Sequence, residues 1–204
     1  MKAILEASSS GALKATVPVV LSNNADAPAL DTAKKFGVQT AGISHRGLSR
    51  EAHEDLLLKQ LATYEVDYVV LAGYMRILTS HFLRNFRDPA GYFRVINIHP
   101  SILPAFPGAN AYEEAFAYGV RLSGITVHLV DEQVDHGPII AQESFERLDS
   151  DSLETFKSRG LAVEHRLYPA VLQRVALNGI HLLNRKPCEP IAAVNHPTGR
   201  SNPK

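Results

Sequence analysis

The chain has 204 residues, 45% of them apolar, with 21 basic and 21 acidic side chains. That length fits one domain or a domain with a tail, and the apolar share suffices for a real core. Balanced charge gives no general pull toward nucleic acid or an anionic membrane, and a single cysteine, Cys188, excludes an intrachain disulfide. With neither a signal-peptide pattern nor a membrane-spanning apolar run, the cytoplasm is the expected compartment.

In chain order, residues 1–7 read as helix, running into Ser8-Ser-Ser-Gly11. Residues 18–22 are a short apolar run of the kind buried in a parallel sheet. A helix over 29–36 stops at Gly37, where a residue free to adopt positive φ is a natural terminator. A strand at 38–43 follows, and Ser49 caps a helix over 50–64 whose expected inner face is Leu56, Leu57 and Leu61. The run at 67–73 is almost continuously apolar, which predicts a strand buried on both faces. Helix is expected at 79–86 and 111–118, the second ended by Gly119. The alternation of strands and helices implies a mostly parallel twisted α/β sheet with helices on both faces.

After Gly124 the pattern changes, and strands at 125–130 and 138–145 flank a loop holding Asp135. A long helix from Asp149 carries Phe156, Leu161, Val163, His165, Leu167, Val171, Leu172 and Val175, with a bend near Pro169 and an end at Gly179. A last strand is expected over 180–183. The domain is read as 1–184, and 185–204, rich in Pro, Asn, Gly and Lys, as a disordered tail.

The richest stretch is 94–108, Arg-Val-Ile-Asn-Ile-His-Pro-Ser-Ile-Leu-Pro-Ala-Phe-Pro-Gly. Side chains at i and i+2 of a strand share a face, so Asn97 and His99 point one way and Ile96 and Ile98 the other. Three prolines then force the chain out of the sheet as a stiff loop. In open parallel sheets such strand ends border ligand sites. Taken alone, an Asn and a His at a strand end read more readily as a satisfied structural pair. The second half of the constellation, Thr126, His128 and Val130 in alternation followed by Asp135, adds an imidazole and a carboxylate and favours chemistry.

Five blocks carry a resemblance: Ala72-Gly-Tyr-Met-Arg-Ile-Leu78, Asn97-Ile-His-Pro-Ser-Ile-Leu-Pro-Ala-Phe-Pro-Gly108, Gly124-Ile-Thr-Val-His128, Val134-Asp-His-Gly-Pro-Ile-Ile140 and Glu164-His-Arg-Leu-Tyr-Pro169. In this order and spacing the chain resembles the glycinamide ribonucleotide formyltransferase family from Met1 to about Leu183. The resemblance implies a Rossmann-like open sheet with an antiparallel C-terminal extension. It implies transfer of the formyl group of 10-formyltetrahydrofolate to the amine of glycinamide ribonucleotide, in purine synthesis, with no metal. Asn97, His99 and Asp135 match the family's catalytic residues. Arg76, Ile77, Leu78, Val130 and the loop from Glu132 to Asp135 match its folate pocket, and Pro100, Gly108 and Glu164 its nucleotide side. Arg76 could instead be a solvated arginine and Glu164 a helix-face charge, while His128 and His165 fit either a site wall or a core.

The residue types suit the chemistry. Formyl transfer develops negative charge on an oxygen, to which an Asn97 N–H and a protonated His99 can donate, while Asp135 can favour the imidazolium and take a proton from the amine. The family's first strand and its glycine-rich phosphate loop have no counterpart here, since residues 1–7 align with the helix that follows them. A groove between 18–22 and 67–73 with unpaired ladder edges is therefore expected. Leu161 also stands where relatives often carry a polar or basic group. The expected partners are the two small molecules, with no nucleic acid or membrane, and a monomer or homodimer. The alternatives are a formyltetrahydrofolate hydrolase or a catalytically impaired folate-binding fragment.

Overall fold

The computed structural model describes residues 1–180 and 182, so the strand expected at 180–183 and the tail at 185–204 lie outside the described residues. The strands form two sheets. In the first, β1 (Val19–Ser22) runs parallel to β2 (Gln39–Gly42). The second has the order β3 (Val69–Val70), β4 (Val95–His99), β5 (Leu122–Leu129), β6 (Ile139–Glu146), with β3 and β4 parallel and the later pairs antiparallel. The antiparallel extension thus starts directly on the central strand.

Six helices cover the sheets: α1 (Lys2–Ser9), α2 (Pro28–Lys35), α3 (Arg50–Leu61), α4 (Ser80–Arg84), α5 (Ala111–Tyr118) and α6 (Leu153–Asn178). Alternation along β4 divides the core between its two faces. Ile96 joins Ile4, Leu13, Val127, Leu129 and the α6 residues Tyr168, Val171, Leu172 and Val175. Val95 joins Leu57, Leu78, Phe82, Leu83 and Phe86 on the other face. The α6 cap is chemical as well as steric, because the Ser152 side chain accepts the Thr155 N–H at 3.3 Å. The helix runs through Pro169 without a break.

Facing one another across the molecule, β1 and β3 share no ladder. Between them lies a largely apolar cavity of about 340 Å³, lined by both strands together with Ile4, Leu57 and Phe82. This agrees with the expected groove and accounts for a correction at β3. Only Val69 and Val70 form regular strand within the predicted 67–73, and residues 68–71 are half-buried rather than buried on both faces. Their ladder has one side only, through the Val69 N–H to Arg94 O at 2.9 Å and the Leu71 N–H to Ile96 O at 2.8 Å.

One helix face also differs from expectation. On α3 the buried residues are His53, Glu54 and Leu57, while Leu56 is 43% exposed and Leu61 half-buried. Two polar anchors turn the helix: His53 Nε2 donates to Ile43 O at 2.9 Å, and the Glu54 carboxylate accepts the Thr79 N–H at 2.8 Å and the Thr79 hydroxyl. On α6, Leu161 and His165 are exposed.

Gly124 sits where β5 passes under the loop that follows β4. A Cβ there would lie 2.5 Å from Glu143 O and 2.6 Å from Ile102 Cγ1, too close to both backbone and side chain. Overpacking of this kind costs about 1–3 kcal/mol. Gly124→Ala is therefore expected to lower the unfolding free energy by that amount, read as a fall in the urea midpoint, and an unchanged midpoint would show that β5 can shift away from the loop without loss.

Candidate active site

The site is built where β4 and β5 lie side by side. In their antiparallel register Asn97 opposes His128 and His99 opposes Thr126. Directly opposed residues share a face, so these four polar side chains form a patch on the face away from Ile96 and Ile98. A register shift between Val127 and His128 interrupts the β5–β6 ladder at this point, a kind of irregularity that re-aims a side chain.

Thr126 pins the proline-rich loop to the sheet. Its hydroxyl donates to Ser101 O at 2.7 Å and accepts the Leu103 N–H at 3.1 Å and the Gln142 Nε2–H at 2.9 Å. Gln142 also donates to Leu103 O at 2.9 Å, and the Ser101 hydroxyl bonds Ala105 O. So tied, the loop turns at Phe106 into the left-handed region, φ 50°. This aims the Phe106 carbonyl at the site, where it accepts His99 Nε2–H at 2.8 Å.

Asp135 closes the group from the loop after β5. Its Oδ2 accepts the Gly108 N–H at 2.8 Å and lies 3.3 Å from His99 Nδ1, and its Oδ1 lies 3.7 Å from His128 Nε2. The residue also has positive φ, 51°, a conformation Asp tolerates better than most. Asp131 braces the loop by accepting the Gln133 N–H at 2.9 Å and pairing with His136 Nδ1 at 2.8 Å. Gly137 permits the tight return, since a Cβ would stand 1.8 Å from Leu129 O.

His99 therefore faces a carbonyl on one side and a carboxylate on the other. An imidazolium fills both positions with N–H donors, whereas a neutral ring fills one. This revises the role expected for the ring. Both its nitrogens are directed at protein acceptors, which leaves the Asn97 amide, with one N–H toward His128 Nε2 at 3.2 Å, as the remaining donor of the pair. His128 is almost fully buried, and burial lowers its pKa from the ordinary imidazole value, opposed more weakly by the Leu129 carbonyl and Asp135.

The segment 72–78 leaves the sheet irregularly beside this patch. Leu78 is buried, and Tyr74 and Val130 pack on the same cluster, which brings the two stretches expected to line one pocket onto a common base. Arg76 is half-buried, and Ile77 and Glu132 are exposed. Met75, Ile77 and Val134 are large apolar side chains left in solvent on these loops, an arrangement suited to covering a flat ring. Burial raises the Tyr74 hydroxyl pKa, with the nearby Arg76 guanidinium opposing it.

Glu164 borders a second cavity of about 230 Å³, with Ala72, Gly73, Ile98, Leu161 and His165. Its Oε1 accepts the Tyr112 hydroxyl at 2.8 Å. Gly160 makes room for that ring, since a Cβ would be 2.3 Å from Tyr112 Oη. Pro100, half-buried, begins the loop, while Gly108 acts through the N–H it gives to Asp135. Neither this cavity nor the larger one between β1 and β3 is lined by Asn97, His99 or Asp135; the polar patch is shallow and lies between the loops. Among the described residues no group of three or more His, Cys, Asp or Glu side chains is placed to hold a metal ion.

The formyl transferase family model matches residues 1–172. The chain belongs to that family. It is 37% identical over 162 residues to the phosphoribosylglycinamide formyltransferase of Bacillus subtilis, covering 79% of this chain and 80% of the relative. It is likewise 37% identical over 183 residues to the trifunctional purine biosynthetic protein adenosine-3 of Bos taurus, covering 89% of this chain but 18% of that much longer protein. The crystal structure of the phosphoribosylglycinamide formyltransferase of Bacillus halodurans superposes with a TM-score of 0.81 at 38% identity, covering 87% of this chain and 89% of that one.

Within this formyl transferase fold, several contributors to the site escape sequence reasoning. The Phe106 carbonyl and Asp131 carry no sequence signal beyond lying in loops. Tyr112 sits 52 positions from its partner Glu164, and nothing in the pattern joins them. Thr126 and Gln142 were traceable only in part, through the alternation that puts Thr126 on the His128 face.

The lowered pKa of His128 has a consequence for stability. Between the ordinary value of about 6.5 and the lower folded value, the unfolded chain takes up a proton that the folded chain refuses. The contribution is complete above the ordinary value and is lost as pH falls toward the folded one. From about pH 7.5 to about 5.5 the urea midpoint is expected to fall further for the wild type than for His128→Gln. Parallel profiles would remove His128 as the source.

Proposed function

We propose that this chain transfers the formyl group of 10-formyltetrahydrofolate to the amine of glycinamide ribonucleotide, in de novo purine biosynthesis. The observation that carries the reading is the meeting of Asn97 and His99, from β4, with Asp135, from the loop after β5, within a chain of the formyl transferase family. The names borne by the similar proteins from Bacillus point to the same substrate.

The folate supplies a formyl carbon open to attack by an amine. As the amine nitrogen bonds to that carbon, negative charge grows on the formyl oxygen, and the free N–H of Asn97 is placed to donate to it. His99 stands beside the amide, held between Phe106 O and Asp135. The Asp135 carboxylate, held by Gly108 and His99, takes the proton lost by the amine, directly or through a water; the carbon–nitrogen bond to the folate then breaks as the oxyanion re-forms the carbonyl, and the departing folate nitrogen takes up that proton. Arg76, Ile77, Leu78, Val130 and Glu132 serve the folate side. Glu164, with one oxygen held by Tyr112 at the edge of its cavity, serves the ribose hydroxyls of the nucleotide.

Asp135→Asn keeps the shape but loses the proton acceptor. It is expected to lower kcat by about 10² to 10⁴ while a folate analogue binds, by calorimetry, as to the wild type. Near-normal turnover would take Asp135 out of the mechanism.

Glu164→Ala is expected to raise KM for the nucleotide with little change in KM for the formyl donor. An equal rise in both constants would place Glu164 outside the nucleotide site.

A further inference from the structure

We propose that His128 is a positioning residue that fixes which way round the Asn97 amide sits, through one defined tautomer of its ring. The inference rests on the formyl transfer reading and adds a residue to it.

The Leu129 carbonyl decides the tautomer. It lies 2.9 Å from His128 Nδ1, and a carbonyl can only accept, so Nδ1 carries the hydrogen. In a neutral ring Nε2 is then a bare acceptor. The Asn97 Nδ2 lies 3.2 Å from it, which requires the amide to turn its NH₂ group, not its oxygen, toward the ring. One hydrogen of that NH₂ goes to His128, and the other is left for the oxygen of the formyl group. The reversed amide would set a carbonyl oxygen where charge develops, and would repel the charge it has to stabilise.

A wrong orientation is excluded only while the ring stays neutral, because an imidazolium would donate from Nε2 and accept the reversed amide. The groups facing the ring are Asp135, which favours its charged form, Asp131, which does so more weakly, and His99, which opposes it. Full burial opposes it as well, and is the strongest of these influences. The cross-strand register of Asn97 on His128, with the register shift next to it, keeps the two side chains opposed.

Two measurements test this on the full chain. Ring ¹⁵N spectra of the wild type at neutral pH are expected to show His128 protonated at Nδ1 and bare at Nε2; an Nε2–H tautomer or an imidazolium would overturn the proposal. The second compares His128→Leu with His128→Gln, whose side-chain oxygen can reach the place of Nε2 and accept the Asn97 N–H. Leu is expected to lower kcat about ten- to a hundredfold, less than the 10² to 10³ for outright loss of an oxyanion donor, with KM for the formyl donor unchanged. Gln is expected to recover most of that loss even where the melting temperatures of the two variants are alike. Equal kcat for Leu and wild type, or equal losses for Leu and Gln, would overturn the positioning role. Absence of transfer by the wild type would overturn the functional reading alone, because the ring spectrum reports the His128 tautomer without turnover.

Discussion

The carboxylate of Asp135 is the point on which the site depends. It joins the loop after β4 through Gly108, the end of β4 through His99, and its own loop after β5. A largely buried charge without partners would be expelled or neutralised, so these donors do not merely decorate the carboxylate; they are the condition for its staying where it is. The dependence runs the other way too. Phe106 and Asp135 both hold left-handed backbone that side chains with a Cβ adopt reluctantly, and such conformations persist only where the surroundings over-determine them. Here the surroundings are the bonds of the same network: Thr126 and Gln142 fasten the first loop, and Asp131 braces the second.

The sheet below makes this network possible by separating tasks between its faces. Ile96, Val127 and Leu129 bury into α1 and α6, while Asn97, His99, Thr126 and His128 stand opposite them. Dispersion and apolar burial on one face hold the strands rigid, and hydrogen bonds on the other use that rigidity to fix angles. Tyr168 extends the arrangement to the neighbouring segment. Its hydroxyl reaches Leu71 O at 2.8 Å and Ile96 O at 3.0 Å, locking the place where the chain leaves β3 for the loop 72–78. The loop 72–78 and the polar patch are thereby referred to the same strand.

What could be read from the sequence follows from which interactions are local. The shared face of Asn97 and His99, the stiff exit through three prolines and the helix Ala111–Tyr118 with its Gly119 stop all depend on neighbours a few positions away, and all are found. Asp135 was legible through its motif rather than through any periodicity. The inner face of α3 was misjudged because apolar count favoured Leu56 and Leu61, whereas His53 and Glu54 are drawn in by a carbonyl at Ile43 and a helix start at Thr79. The pairing of Asn97 with His128 required the register of β4 against β5, which a pattern of alternation leaves undetermined. Tyr112 and Glu164 meet only because α5 and α6 pack, and Gly160 admits the ring.

The division of the sheet bears on the site unequally. Between β1–β2 and the larger sheet there is no ladder; the two are joined by apolar packing, with Leu21 and Ile43 against the cluster of Leu57, Phe82 and Val95. Such packing is strong but weakly directional, so it holds the halves together without fixing an angle between them to the precision a hydrogen-bonded ladder gives. The residues that meet at Asp135 take their positions from β4, β5 and the loops tied to them, all on one side of that divide. The segment 72–78 and the cavity beside Glu164 lie nearer to it, since Ala72 and Gly73 line both cavities. Local stability follows local contact density. The geometry for proton and charge is thus set in the well-bonded half, while the places assigned to the two substrates border the half that no ladder joins to it.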